Sequence, residues 1–161
     1  MRQITANGVK LIQTWEGCRL QAYPDTGGVW TIGYGTTKYP SGKMVKKTDK
    51  ITMQQAVDYL RYEIRIAESF VSMKVRSVIT PEMFDALVSF TYNVGVGAFY
   101  KSSLLRAVNL WPENPDIEEL FLRWRYDNGK EIQGLINRRK SEAHYYRTGE
   151  IITDFTHAPA T

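Results

Sequence analysis

The stretch Trp15-Glu16-Gly17-Cys18-Arg19-Leu20-Gln21-Ala22-Tyr23-Pro24-Asp25-Thr26-Gly27-Gly28-Val29-Trp30-Thr31-Ile32-Gly33-Tyr34-Gly35-Thr36-Thr37 changes its periodicity as it is read. Val9, Ile12 and Trp15 recur at helical spacing behind Thr5 or Asn7, either of which suits a helix start, and Gly17 closes the run. A short helix therefore ends near Glu16. Leu20–Tyr23 and Val29–Tyr34 are β-favouring pieces separated by the turn cluster Pro24-Asp25-Thr26-Gly27-Gly28, which predicts a hairpin with Asp25 in its turn.

Downstream, Lys38–Lys50 holds five lysines around Pro40 and Gly42 and suits a solvated loop or an edge strand. Thr52 and Gln55 have the form of a capping box, and Ala56, Leu60, Ile64, Ala67 and Val71 follow on one face, predicting a helix over about 53–73. Thr80-Pro81-Glu82 opens another, with Phe84, Leu87, Phe90 and Val94 as its buried stripe and Gly95 and Gly97 as its stop. Ser102 or Ser103 caps a short helix through Leu110, Asn114-Pro115-Asp116 opens one carrying Ile117, Leu120, Phe121 and Trp124, and a last helix runs from about Leu135 to Tyr146. The class is α+β: one domain over 1–161, with lobes at about 1–52 and 74–149 joined by helix 53–73, an implied cleft between them, and a patternless tail over 150–161.

Composition sets outer bounds. A chain of 161 residues with 43% hydrophobic and 24% charged residues has the balance of one globular domain with a real core. No apolar run reaches the roughly 20 residues of a membrane helix, so stable membrane insertion is not expected. Met1-Arg2-Gln3-Ile4-Thr5 has no apolar segment behind it, which predicts retention in the cytoplasm. The lone cysteine, Cys18, reads as a small packed thiol, and neither His144 nor His157 has a partner at metal-ligand spacing, so no metal or other cofactor is expected. The net charge of +4 favours polyanionic partners. Because no helix-turn-helix, zinc or RNP signature accompanies it, nucleic acid is not expected among them.

Hydrolysing a glycosidic bond by inversion needs one carboxyl to protonate the leaving oxygen and a second carboxylate to activate water. Glu16 and Asp25 are available for both. On the residues alone the structural reading, a helix-end Glu and a turn Asp, is the favoured one. The run from Trp15 to Thr37, however, closely resembles the phage-type lysozymes, the endolysins of glycoside hydrolase family 24. Their catalytic Glu, the Asp nine residues later and the Thr six beyond match Glu16, Asp25 and Thr31 without a gap. Tyr92-Asn93-Val94-Gly95 with Gly97-Ala98-Phe99, Ser102-Ser103-Leu104-Leu105, and Gly129-Lys130 with Gln133-Gly134-Leu135-Ile136-Asn137-Arg138-Arg139 and Glu142 extend the resemblance over roughly residues 5–149.

The resemblance implies a lysozyme-like fold and an inverting muramidase. Such an enzyme cuts the β-1,4 bond between N-acetylmuramic acid and N-acetylglucosamine in peptidoglycan, for host cell lysis. Glu16 would be the acid, with Asp25 and Thr31 holding the water. It further implies Tyr92, Asn93, Ser103 and Arg138 as substrate-binding residues, with Arg138 reaching toward the catalytic Glu. Arg138 as a solvated member of the Arg138-Arg139-Lys140 run, and Tyr92 as core packing, are the alternatives. A monomer waiting in the host cytoplasm for a holin-like permeabiliser is the implied setting. One departure stands out: the family usually carries His where this chain has Thr36. A lytic transglycosylase, which works with a single Glu, is disfavoured by Asp25 and Thr31, and a catalytically inert wall-binding module by the intact triad.

Overall fold

The computed structural model describes residues 2–155, so the end of the tail, with His157, lies outside the described residues. Two compact units emerge, one of residues 12–66 and one joining residues 2–11 to 67–155. Helix α1 (Ala6–Glu16) begins in the second of these and ends in the first.

The smaller unit carries the hairpin. Strands β1 (Arg19–Pro24) and β2 (Trp30–Gly33) pair antiparallel with Tyr23 opposite Thr31 and Pro24 opposite Trp30, and the register shifts between Arg19 and Tyr23. The lysine-rich segment is surface, as its composition predicts. All five of its lysines are exposed, while its end pairs with β1 through Ala22 N–H to Asp49 C=O at 3.0 Å and Ile51 N–H to Leu20 C=O at 2.9 Å. Helix α2 (Met53–Lys74) starts with the reciprocal capping box: Gln55 N–H donates to Thr52 Oγ1 at 3.1 Å and Thr52 N–H to Gln55 Oε1 at 2.9 Å. Its five predicted stripe residues are all buried. Gly33 closes β2 at φ +64°, and a Cβ there would lie 3.2 Å from Ile51 Cδ1 and 3.4 Å from Ala56 Cβ, so hairpin and helix meet at a position only glycine fits.

The larger unit is helical: α3 (Pro81–Val94), α4 (Val96–Lys101), α5 (Ser103–Leu110), α6 (Ile117–Leu122) and α7 (Gln133–Thr148). Thr80 caps α3 through Met83 N–H at 3.2 Å, and Phe84–Thr91 is buried on every side, so α3 is the central helix rather than an amphipathic one. Ser102, not Ser103, caps α5, accepting from Leu105 N–H at 3.0 Å. Phe90 is the hub of an aromatic cluster with Phe99, Phe121 and Trp124 at centroid distances of 5.5–6.3 Å, edge to face.

Two short elements differ from the sequence reading. Gly95 ends α3 at φ +93°, but Gly97 lies inside α4 instead of stopping the chain. Strands β3 (Tyr126–Asp127) and β4 (Lys130–Glu131) form a hairpin around Asn128 and Gly129, both at positive φ. The Asn-Gly pair is a turn signal, but two-residue strands leave no alternation to read.

Residues 2–11 join the helical unit because a buried carboxylate holds them there. Asp85, on α3, accepts from Thr5 N–H at 2.9 Å, from the Thr5 hydroxyl, and from the Tyr145 hydroxyl of α7 at 2.7 Å. Thr5 in turn accepts from Gly8 N–H at 3.1 Å, which identifies Thr5 as the cap of α1. Burial and the Asp85 contact push the Tyr145 phenol up to about 12. At Gly8 a Cβ would lie 2.5 Å from Asp85 Cγ and 2.6 Å from Ile4 Cγ1. Gly8→Ala is expected to lower unfolding free energy by about 1–3 kcal/mol through overpacking. Gly134→Ala, in the first turn of α7 with open space around it, should raise it by about 0.4–1 kcal/mol. Denaturant melts of the two variants beside wild type check both signs.

Candidate active site

Glu16 is the last residue of α1, half-buried, with Gly17 at φ +63° turning the chain into β1. Asp25 sits exposed at the head of the hairpin turn, whose backbone closes through Asp25 N–H to Val29 C=O and Gly28 N–H to Asp25 C=O, each 2.9 Å. Its Oδ1 accepts from Gly27 N–H at 2.9 Å and Val29 N–H at 2.8 Å. Both bonds end on one oxygen, so the carboxylate is held in orientation while Oδ2 has no protein donor among the described residues.

Thr31 is 4% exposed, and its hydroxyl donates to Val29 C=O at 2.9 Å. Residue 29 thus grips both side chains: its N–H holds Asp25 and its C=O receives the Thr31 proton. A hydroxyl has one proton, so Thr31 Oγ1 faces any further partner as an acceptor. No sequence signal singles out Val29, because it acts through its backbone.

Cys18 is half-buried, and burial pushes its thiol above the ordinary value against a smaller opposing effect from the Tyr34 hydroxyl. Thr36, where the family usually has His, is fully buried. Its backbone bonds Ile32 in both directions, at 2.8 and 2.9 Å, and its hydroxyl has no partner among the described residues.

The four residues read as substrate contacts all belong to the helical unit. Arg138 is 5% exposed, which overturns its reading as a solvated residue. Its Nε donates to Glu142 Oε2 at 3.3 Å and its Nη2 to Ser89 C=O at 3.3 Å. Arg139, which no sequence signal singles out, is fully buried, 2.8 Å from Glu142 Oε1 through Nε and 2.7 Å from Asn93 Oδ1 through Nη2. The Arg139–Glu142 contact is a close ion pair without hydrogen-bond alignment. Ser89 Oγ completes the cluster at 2.6 Å from Glu142 Oε2.

A groove of about 680 Å³ in this unit is lined by Asn93, Arg123, Trp124, Tyr126, Leu135 and Arg139, among others. Asn93 is exposed there, and Ser103 accepts from Arg123 at 3.3 Å, so both are tied to arginines of the groove. Tyr92 is half-buried on α3. Among the described residues no group of three or more His, Cys, Asp or Glu is placed to hold a metal.

A small hairpin unit with a carboxylate in its turn, following in sequence a helix that ends in Glu, together with a second, all-helical unit, is an α+β fold of the lysozyme-like class. An endolysin from Escherichia coli O157:H7 phage FAHEc1 has this fold at a TM-score of 0.86 and 35% identity, over 94% of this chain and 97% of that one. The muramidase domain of SpmX from Asticaccaulis excentricus matches at 0.80 and 33%, over 92% and 99%. An endolysin of Bacillus phage PZA is 40% identical over 149 residues, 91% of this chain, which spans about half, 56%, of that relative's length. The phage lysozyme family model matches residues 13–142, and the chain belongs to that family.

Two outcomes test the buried polar groups. Glu142→Gln leaves the buried Arg138 and Arg139 short of their counter-charge and should cost about 3–5 kcal/mol in unfolding free energy, read by denaturant titration. Thr36→Val removes a buried hydroxyl that lacks a partner at nearly constant shape. It should raise stability by about 1 kcal/mol, seen as a higher melting temperature.

Proposed function

We propose that this chain is a peptidoglycan hydrolase, an inverting muramidase acting on the β-1,4 bond between N-acetylmuramic acid and N-acetylglucosamine. The observation that carries the reading is the Val29 clamp, which orients a carboxylate oxygen and a hydroxyl acceptor together on the hairpin that follows Glu16. The names of its relatives support the reading, two being endolysins and one a muramidase domain.

Glu16 donates its proton to the leaving glycosidic oxygen. A water on the opposite face of the sugar gives one hydrogen bond to Asp25 Oδ2 and the other to Thr31 Oγ1, which leaves its lone pair aimed at the anomeric carbon. Because the Thr31 hydroxyl donates its hydrogen bond to Val29 C=O, it accepts one from the water and does not compete for the lone pair. As the bond forms, Asp25 receives the water's proton. Oxygen enters opposite the departing sugar, and the configuration inverts.

Tyr92, Asn93, Ser103 and Arg138 are proposed substrate contacts of the helical unit, with support for Asn93 and Ser103 from the arginine-lined groove beside them. Among the described residues no helix is long and apolar enough to cross a membrane. We propose that the chain acts as a monomer on the host wall, staged in the cytoplasm until a holin-like permeabiliser opens the way. The net charge of +4 aids its capture by the acidic wall.

Glu16→Gln keeps shape but cannot donate the proton, and wall-clearing rates should fall about 10²- to 10⁴-fold. Asp25→Asn should also slow clearing. Thr31→Ser keeps the acceptor and should stay active, whereas Thr31→Val should not, with melting temperatures of all four close to wild type. NMR of the first reducing end released decides the stereochemistry. A retained anomer would defeat the water mechanism, and wild-type clearing by Glu16→Gln would remove the assignment altogether.

A further inference from the structure

We propose that the helical unit carries a docking face for an anionic phospholipid bilayer, formed by the linker after α2 and the last turn of α5. Val78 is 97% exposed, Leu110 88% and Trp111 54%, the first two being the most exposed large apolar side chains among the described residues. Scattered exposed hydrophobics are ordinary. These three are gathered by backbone that is itself pinned. Arg76 N–H donates to Asn109 Oδ1 at 2.7 Å, Ser77 Oγ to Val108 C=O at 2.8 Å, and Asn109 Nδ2 to Lys74 C=O at 3.0 Å. The linker therefore lies against the end of α5, and the apolar side chains protrude from a fixed platform.

Cations frame the face. Residues 73–78 and 100–111 contain Lys74, Arg76, Lys101 and Arg106 and no acidic residue; the acids that flank them in the chain are Glu68, Glu82, Asp85 and Glu113. Arg106 stands one helical turn before Leu110 and shares its side of α5. The Lys74 ammonium lies 4.9 Å from the Tyr100 ring centroid, which keeps that charge at the platform. Three protruding side chains are far fewer than the roughly 20–30 residues a side of a stable protein interface. Inserting a few apolar groups and a Trp at the headgroup level, with basic residues around them, is instead how peripheral proteins hold an anionic bilayer. The face contains none of Glu16, Asp25 or Thr31, so the proposal stands apart from the hydrolase reading.

The test is co-sedimentation of the full chain with vesicles of phosphatidylglycerol and phosphatidylcholine, and with phosphatidylcholine alone, at low and high salt. Binding is expected to the anionic vesicles only, to weaken with salt, and to owe about fivefold to each basic residue near the surface. A Val78→Ser/Leu110→Ser variant should bind at least about tenfold more weakly with wall clearing unchanged, and Arg76→Gln/Lys101→Gln should be weaker too, with melting temperature unchanged in both. A blue shift of tryptophan emission on binding should vanish in Trp111→Phe. Absence of binding to the anionic vesicles, equal binding by the variants, or equal binding to neutral vesicles overturns the proposal. So does self-association through this face that the Val78→Ser/Leu110→Ser variant abolishes while vesicles go unbound. Failure of any of these arms leaves the Glu16 and Asp25 variants to judge the hydrolase reading alone.

Discussion

Two neighbouring arginines are buried in α7, and a guanidinium cannot be taken out of water without a counter-charge. Arg138 and Arg139 share one carboxylate, Glu142, which stands four residues after the first and three after the second on the same helix. That shared pairing fixes which side of α7 faces α3, and α3 answers with polar atoms at the right heights: Ser89 through both its hydroxyl and its carbonyl, and Asn93 through its amide oxygen. Around this polar seam the helical unit is apolar, with Phe90 lying 5.1 Å from the Arg139 guanidinium on one side and meeting Phe121 and Trp124 edge to face on the other. The ion cluster therefore specifies how α3 and α7 meet, while the aromatic packing supplies most of the burial.

The hairpin unit works by a different economy, in which backbone groups hold side chains. A five-residue turn is too short to carry packing of its own, so Asp25 is oriented by two N–H groups and Thr31 by one carbonyl. The glycines of the turn leave those N–H groups uncovered, and the positive φ of Gly28 curls the chain so that residue 29 returns toward Asp25. Gly33 then lets the hairpin approach α2, where any side chain would separate them. The two candidate side chains meet at Val29, whose side chain is exposed and whose peptide groups hold Asp25 and Thr31.

The sequence by itself determined the elements that local chemistry governs. Thr52 with Gln55 and Thr80 with Pro81 mark helix starts because a cap satisfies the orphan N–H groups of the first turn, and the structure places both as read. The α2 stripe and the Asp25 turn were legible for the same reason, since periodicity and turn residues act over a few positions. Glu16, Asp25 and Thr31 stand out as a candidate set only through resemblance, because each alone is an ordinary structural choice. What only the tertiary structure decided involves partners far apart in the chain. Asp85 draws residues 2–11 to the helical unit, Arg139 and Glu142 are buried because α3 offers them partners, and the linker after α2 lies against the end of α5 because Asn109 and Val108 bind it. A charge in a helix reads as solvent-facing until its counter-charge and the surface that covers it are known. Burial is a property of the assembled fold and leaves no mark on the residue itself.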